Sequence, residues 1–257
     1  MIFDTHVHLN DPSYKENYKE IIEKALENNV KKMMVVGYDL ESSKLAVKLA
    51  NEYQFIYAAI GLHPSEQFND YNNHLIELEK LISSKVLAIG EIGLDYHYTP
   101  LNKDNQAELF IRQLELAKKY NLPIIIHSRD ACLDTYEILK QYKHCYSKGI
   151  MHCYSYSVEM AKEFKKLDFI FGIGGVVTYK NGKTCKEVVT ALNIKDIVLE
   201  TDAPYLAPSP YRGKINLPHY IVNVAKEVSE LKQMSIKEIE EITTKTACDF
   251  FGVPYVD

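Results

Sequence analysis

Short apolar runs rich in Val and Ile recur along the chain at 2–6, 33–37, 57–61, 86–91, 124–127, 150–153, 169–173 and 197–202. Between them lie stretches such as 20–28, 42–52, 75–82, 106–120, 134–141 and 158–165, whose apolar residues fall at three- and four-residue spacing, the signature of amphipathic helices. Strand starts are separated by roughly 19 to 38 residues, the length of a strand, a helix and two connections, and near-continuous apolar strands imply burial on both faces. Eight such units predict a (β/α)8 TIM barrel. A doubly wound open sheet is the alternative, but no GxGxxG follows the first strand and no Walker loop is present. A further helix is expected at 235–251, opened by the cap Ser235 with Glu238 three residues on. No Pro/Gly/Ser-rich linker or low-complexity tract divides the sequence, so residues 1–257 are read as a single domain: the barrel with an additional C-terminal helix.

With 257 residues, 46% hydrophobic and 25% charged, the chain has ordinary globular proportions. Its formal charge of −5 supplies no basic field for nucleic acid, so such a substrate needs local positive charge. The N-terminus has no basic segment ahead of an apolar one and no run of 18 apolar residues occurs, so a soluble, cytoplasmic protein without membrane contact is expected. Five cysteines without a CxxC pair fit free thiols and argue against disulfides or a Cys-based zinc site. Only three of the 30 basic residues are arginines. Where Arg is kept, its planar fork for phosphate or carboxylate is informative.

His6 and His8 stand two apart at the end of the first strand, so both side chains point to one face. Alone, an HxH reads more readily as two surface histidines leaving a strand than as a metal site. Position strengthens the metal reading, because Glu91, His127, His152 and Asp202 also follow strands, at the rim where such barrels place their chemistry. Each alone has a plainer reading as a cap or a core histidine. Six converging metal-capable side chains, however, entail repulsion and desolvation that cations offset. Four imidazoles and two carboxylates suit two divalent ions, which leave the mouth locally cationic and favour an anionic substrate.

The motifs FDTHVHLND, AIGLHP, AIGEIGLDYHY, LPIIIHSRDA, IMHCYS, LETDAPYLAP and YRGKINLP occur in that order, and the chain resembles the TatD family of metal-dependent hydrolases from residue 2 to about 251. The resemblance implies an amidohydrolase-type barrel and a deoxyribonuclease, a 3′–5′ exonuclease on single-stranded DNA ends that activates water with two metals. It implies His6, His8, Glu91 and Asp202 around one metal and Glu91, His127 and His152 around the other, with Glu91 bridging and Asp202 taking the water proton. It also makes His63, in GLHP, a further site histidine that contacts phosphate or assists the leaving oxygen. No lysine ends the fourth strand, which argues against a carboxylated-lysine bridge.

Arg129 is placed to hold a phosphate, with an ion pair to Asp130 or Asp134 as the alternative. Arg212 and Asn216, in YRGKINLP, either position substrate or brace Asp202. Asp4 and Asp95 are candidates to orient an imidazole. Tyr96, Tyr154, Tyr156 and Tyr205 follow strand ends and are candidates to stack on bases, although 19 tyrosines make chance placement easy. Tyr156 stands where the family usually has glycine. His74, His97, His144 and His219 have no comparable placement. Imidazole favours Zn and oxygen donors favour Mg or Mn; the resemblance favours Mg or Mn in turnover. A hydrolase acting on an ester or amide such as D-aminoacyl-tRNA is the alternative activity. A non-catalytic metal-binding module is disfavoured because every ligand position is filled. No obligate protein partner is readable, and a monomer is expected.

Overall fold

The computed structural model describes residues 1–14, 16–66, 71–98 and 103–255. The strands are β1 (Ile2–Val7), β2 (Val30–Val36), β3 (Ile56–Ile60), β4 (Val86–Asp95), β5 (Ile124–Arg129), β6 (Gly149–Met151), β7 (Phe169–Ile173) and β8 (Ile197–Leu199). The helices that alternate with them are α1 (Tyr18–Glu27), α2 (Leu40–Glu52), α3 (Tyr71–Glu79), α4 (Lys103–Tyr120), α5 (Cys132–Gln141), α6 (Val158–Lys165), α7 (Lys183–Ala191) and α8 (Ile221–Lys232), followed by α9 (Ile236–Phe251). One sheet carries the eight strands in chain order. Beyond β8, Ala203 pairs in parallel with Val7 at the end of β1. A parallel sheet whose last strand returns beside its first has the (β/α)8 topology that the periodicity predicts.

The chain divides into two compact units, 1–35 with 153–163 and 170–257, and 36–152 with 164–169. In the first, β1 pairs with β2 in parallel from Ile2 opposite Val30, and β7 with β8 from Phe171 opposite Ile197. The C-terminal helix α9 packs on this sheet. Ser235 and Glu238 form a reciprocal capping box at its start, and Gly252, at φ 69°, closes it. Thr244 accepts the N–H of Phe3 at 3.2 Å and donates to the carbonyl of Met1 at 2.9 Å, so the helix holds the first strand by its backbone.

In the second unit β3 to β6 pair in parallel. Here β4 runs on to Asp95 and β5 to Arg129, so Glu91 and His127 lie within their strands rather than after them, which corrects the sequence expectation. Parallel pairing carries the extension: Gly93 lies opposite His127 and Asp95 opposite Arg129. Gly93, at φ 141°, is required there, because a Cβ would sit 1.9 Å from the carbonyl oxygen of His127.

Candidate metal centre

In the first unit, His6 near the end of β1 and His8 just beyond it turn their Nε2 atoms to within 3.2 Å of each other. The Asp202 carboxylate lies 3.4 Å from His8 Nε2 and 3.9 Å from His6 Nε2. Asp202 stands three residues past β8 at φ 56°, a left-handed conformation that Asp tolerates better than most residues. Its N–H donates to the carbonyl of His6 at 2.9 Å, which fixes the carboxylate beside the imidazoles. Two imidazole nitrogens and a carboxylate oxygen mutually within 4 Å, both histidines buried, form a donor set that fits a divalent cation.

Asp4 does not orient an imidazole, which corrects one reading of the sequence. Its carboxylate instead accepts the N–H of Thr201 at 3.0 Å, the Thr201 hydroxyl at 2.6 Å and the N–H of His6 at 3.3 Å, tying β1 to the residue before Asp202. Burial pushes its carboxyl up to about 8, against these hydrogen bonds. Asn216 braces the same segment, donating to the carbonyls of Thr201 at 2.8 Å and Tyr205 at 2.7 Å, while the Tyr14 hydroxyl donates to its carbonyl. Arg212 lies apart from this brace: exposed, it donates to Asn181 Oδ1 at 3.2 Å and covers the Tyr179 ring. Tyr205 is half exposed, edge-on to His8, with its hydroxyl on Asp11 at 3.0 Å.

The second unit gathers three imidazoles around one carboxylate. Glu91 Oε1 lies 2.9 Å from His127 Nδ1, 3.4 Å from His63 Nε2 and 3.7 Å from His152 Nε2. Glu91 is buried, and its oxygen with His63 and His127 forms a group close enough to share an ion. The other His127 nitrogen, Nε2, meets Asp95 Oδ2 at 2.9 Å, the carboxylate–histidine arrangement that orients a metal ligand. Burial alone would lower the pKa of His127, but Asp95 and Glu91 outweigh it and raise the value. His63 is held differently. The Ser65 N–H donates to its Nδ1 at 3.1 Å, so the neutral ring carries its proton on Nε2 and offers a donor toward Glu91. Burial and the neighbouring His127 lower its pKa and keep it neutral.

Three structural residues escaped sequence reading. Gln113 and Gln106 stand two turns apart on α4, and each grips one strand-end peptide from both sides. Gln113 bonds the N–H and carbonyl of Leu62 at 2.8 and 3.0 Å; Gln106 bonds those of Asp95, both at 2.8 Å. They hold the residue before His63 and the partner of His127. Their signal is two amides seven apart on an otherwise apolar face. In the first unit the wholly buried Glu200 accepts the N–H of Cys153, which follows His152, at 2.6 Å. Its signal is a carboxylate inside the apolar run of the eighth strand.

Arg129 is exposed at the end of β5 with its guanidinium 4.8 Å from the centre of the Tyr98 ring. The alternative ion pairs are absent among the described residues: Asp130 lies 3.3 Å from His97, and Asp134 accepts the Tyr96 hydroxyl at 2.7 Å. Tyr154 is only 3% exposed and its hydroxyl donates to Ser157, so the expectation that it stacks on bases is corrected. Tyr156 packs edge-on to Tyr154.

The profile of the TatD related DNase family matches residues 3–252. The chain belongs to the TatD family. Its relatives include YabD of Bacillus subtilis, a metal-dependent hydrolase 45% identical over 98% of this chain and all of its own length. YcfH of Escherichia coli, also a metal-dependent hydrolase, is 32% identical over 98% of this chain and 96% of its own. The crystal structure of YjjV, a TatD homologue of E. coli, superposes with a TM-score of 0.93 at 31% identity, covering 98% of each chain, and so the (β/α)8 fold is that of TatD proteins. No helix among the described residues is long and apolar enough to cross a membrane.

Proposed function

We propose that this TatD-family chain is a metal-dependent hydrolase of phosphodiester bonds, a deoxyribonuclease that removes nucleotides from the 3′ end of single-stranded DNA. The observation that carries this reading is the convergence of three imidazoles on the buried Glu91 oxygen, with His127 backed by Asp95. We assign two divalent ions to the donors, one to His6, His8 and Asp202 and one to Glu91, His127 and His152, with His63 also grouped with Glu91 and His127. Mg or Mn serves turnover, and the imidazole-rich donor set also accepts Zn. Bound there, the ions lower the pKa of water and offset charge on the phosphate.

The chain's own groups do the rest. Asp202 takes the proton of the attacking water. His63, with its Nδ1 engaged by Ser65, donates from Nε2 to a phosphate or leaving oxygen. Arg129 binds a phosphate through its fork of N–H donors, while Tyr205 and Arg212 contact the strand. The test compares single-stranded DNA, RNA and D-aminoacyl-tRNA with the purified protein, with EDTA and with added Mg, Mn or Zn. Metal-restored release of nucleotides from DNA ends is expected. Hydrolysis confined to the aminoacyl ester would overturn the phosphodiester assignment and keep the hydrolase.

A further inference from the structure

We propose that Tyr98 and Arg129 form a composite subsite for one unpaired nucleobase and its adjoining phosphate at the edge of the Glu91 cluster. The inference rests on the nuclease reading above and names the part of the substrate that this rim selects. Among the tyrosines nearest the strand ends, Tyr154 is buried and Tyr96 is tied down, its hydroxyl on Asp134 and its ring under the Lys103 ammonium at 3.9 Å. Tyr98 is different: it is 65% exposed, with Arg129 over its ring and His97 edge-on to it at 5.0 Å. An exposed ring with a guanidinium on one side is a platform on which a base stacks, whatever its identity.

The pair is fixed to the catalytic residues by one carboxylate. Asp95 Oδ1 accepts the N–H groups of His97 at 2.9 Å and Tyr98 at 3.0 Å, while Oδ2 meets His127 Nε2. Across the sheet Asp95 lies opposite Arg129, and the Tyr96 N–H donates to the Arg129 carbonyl at 2.9 Å. The segment after β4 is thereby laid against the end of β5, two residues from His127.

Beside the Glu91 cluster, Arg129 is also open to an anion. Arg112 faces Glu115 at 3.9 Å and Arg212 bonds Asn181, whereas Arg129 has no ion pair among the described residues, and the adjacent Asp130 is engaged by His97. With its guanidinium over the Tyr98 ring and no ion pair, the N–H donors of its fork remain for phosphate. A base in a duplex is paired and stacked on its neighbours, so a ring-and-guanidinium platform takes a base only from a single strand or a frayed end.

The test measures KM and kcat for nucleotide release by the Mn-loaded enzyme from decathymidylate, and from the same oligonucleotide with abasic residues at its two 3′-terminal positions. Wild type, Tyr98→Ala, Tyr98→Phe and Arg129→Ala are compared. Tyr98→Ala is expected to raise KM for decathymidylate roughly 5- to 150-fold, the loss of one stacked base, with kcat little changed and little effect on the abasic substrate. Tyr98→Phe keeps the ring and behaves as wild type. Arg129→Ala raises KM on both substrates, because the phosphates are present in both. Equal effects of Tyr98→Ala on the two oligonucleotides, or none on either, overturn the subsite while leaving the nuclease reading intact. A wild-type enzyme that cleaves neither oligonucleotide overturns both.

Discussion

Asp95 orients His127 through one oxygen and holds the backbone of His97 and Tyr98 through the other. Burial alone would raise its pKa, but the His127 imidazole and the two N–H donors outweigh burial and hold it at about 2. Asp95→Asn is therefore expected to lower metal affinity about 10- to 100-fold with the fold retained, as read by calorimetric titration with Mn; unchanged affinity would show that His127 needs no charged partner. Asp4 makes a separate prediction, for EDTA-treated protein. Its carboxyl is raised from 3.8 to about 8 by burial, so between those values the folded chain keeps a proton that the unfolded chain has released. Its contribution to stability thus falls as pH rises through that window. Asp4→Asn cannot ionise and still accepts the N–H of Thr201, so Tm should fall less from about pH 5 to 8 than in the wild type; an undiminished slope contradicts the assignment. HxH showed where two histidines of the candidate metal centre stand. It could not show that Asp4 serves Thr201 rather than an imidazole, because His6, on the same strand, and Thr201, 197 residues away, are both within its reach.

Among the elements, α4 carries the least expected burden. Replacing Gln113 with Leu strands the N–H and carbonyl of Leu62 in the interior, at a cost of about 1–3 kcal/mol for each group not satisfied by water. Urea denaturation should show this loss together with a lower kcat, since Leu62 leads into His63; wild-type stability would mean that the strand end finds other partners. Polar residues on a helix ordinarily read as a solvated face, so this role was hidden until α4 and β3 were brought together. Most strands and helices were legible from apolar spacing, and α9 also from its capping box. The helices α7 and α8 were not marked out, because Val188, Val189, Val222, Val224 and Val228 are β-branched residues that favour strands. In α8 the buried Ile221, Val224, Ala225 and Val228 keep the helical spacing, and packing decides. Strand ends were misjudged for a related reason: β4 and β5 extend by pairing with each other through Glu91–Asp95 and His127–Arg129, where the sequence turns polar.

At the scale of the molecule, eight strand–helix units and the ordered motifs made fold and family legible in the sequence, while the division of labour among site residues needed their neighbours in space. On the proposed reading a chain of charge −5 would meet its anionic substrate through bound cations, so metal should matter to stability as well as to catalysis. Adding Mn to EDTA-stripped protein at 100 times Kd is expected to stabilise it by about 2.7 kcal/mol per site, seen as a rise in Tm; an unmoved Tm would count against preformed sites. The most direct test of the account is the rate of nucleotide release from the 3′ end of a single-stranded oligonucleotide by stripped protein as Mn is restored, with Glu91→Gln and Asp202→Asn alongside. No release without metal, recovery with it, and loss of recovery in both variants despite native circular dichroism are predicted. Release that survives EDTA and both substitutions would contradict the account.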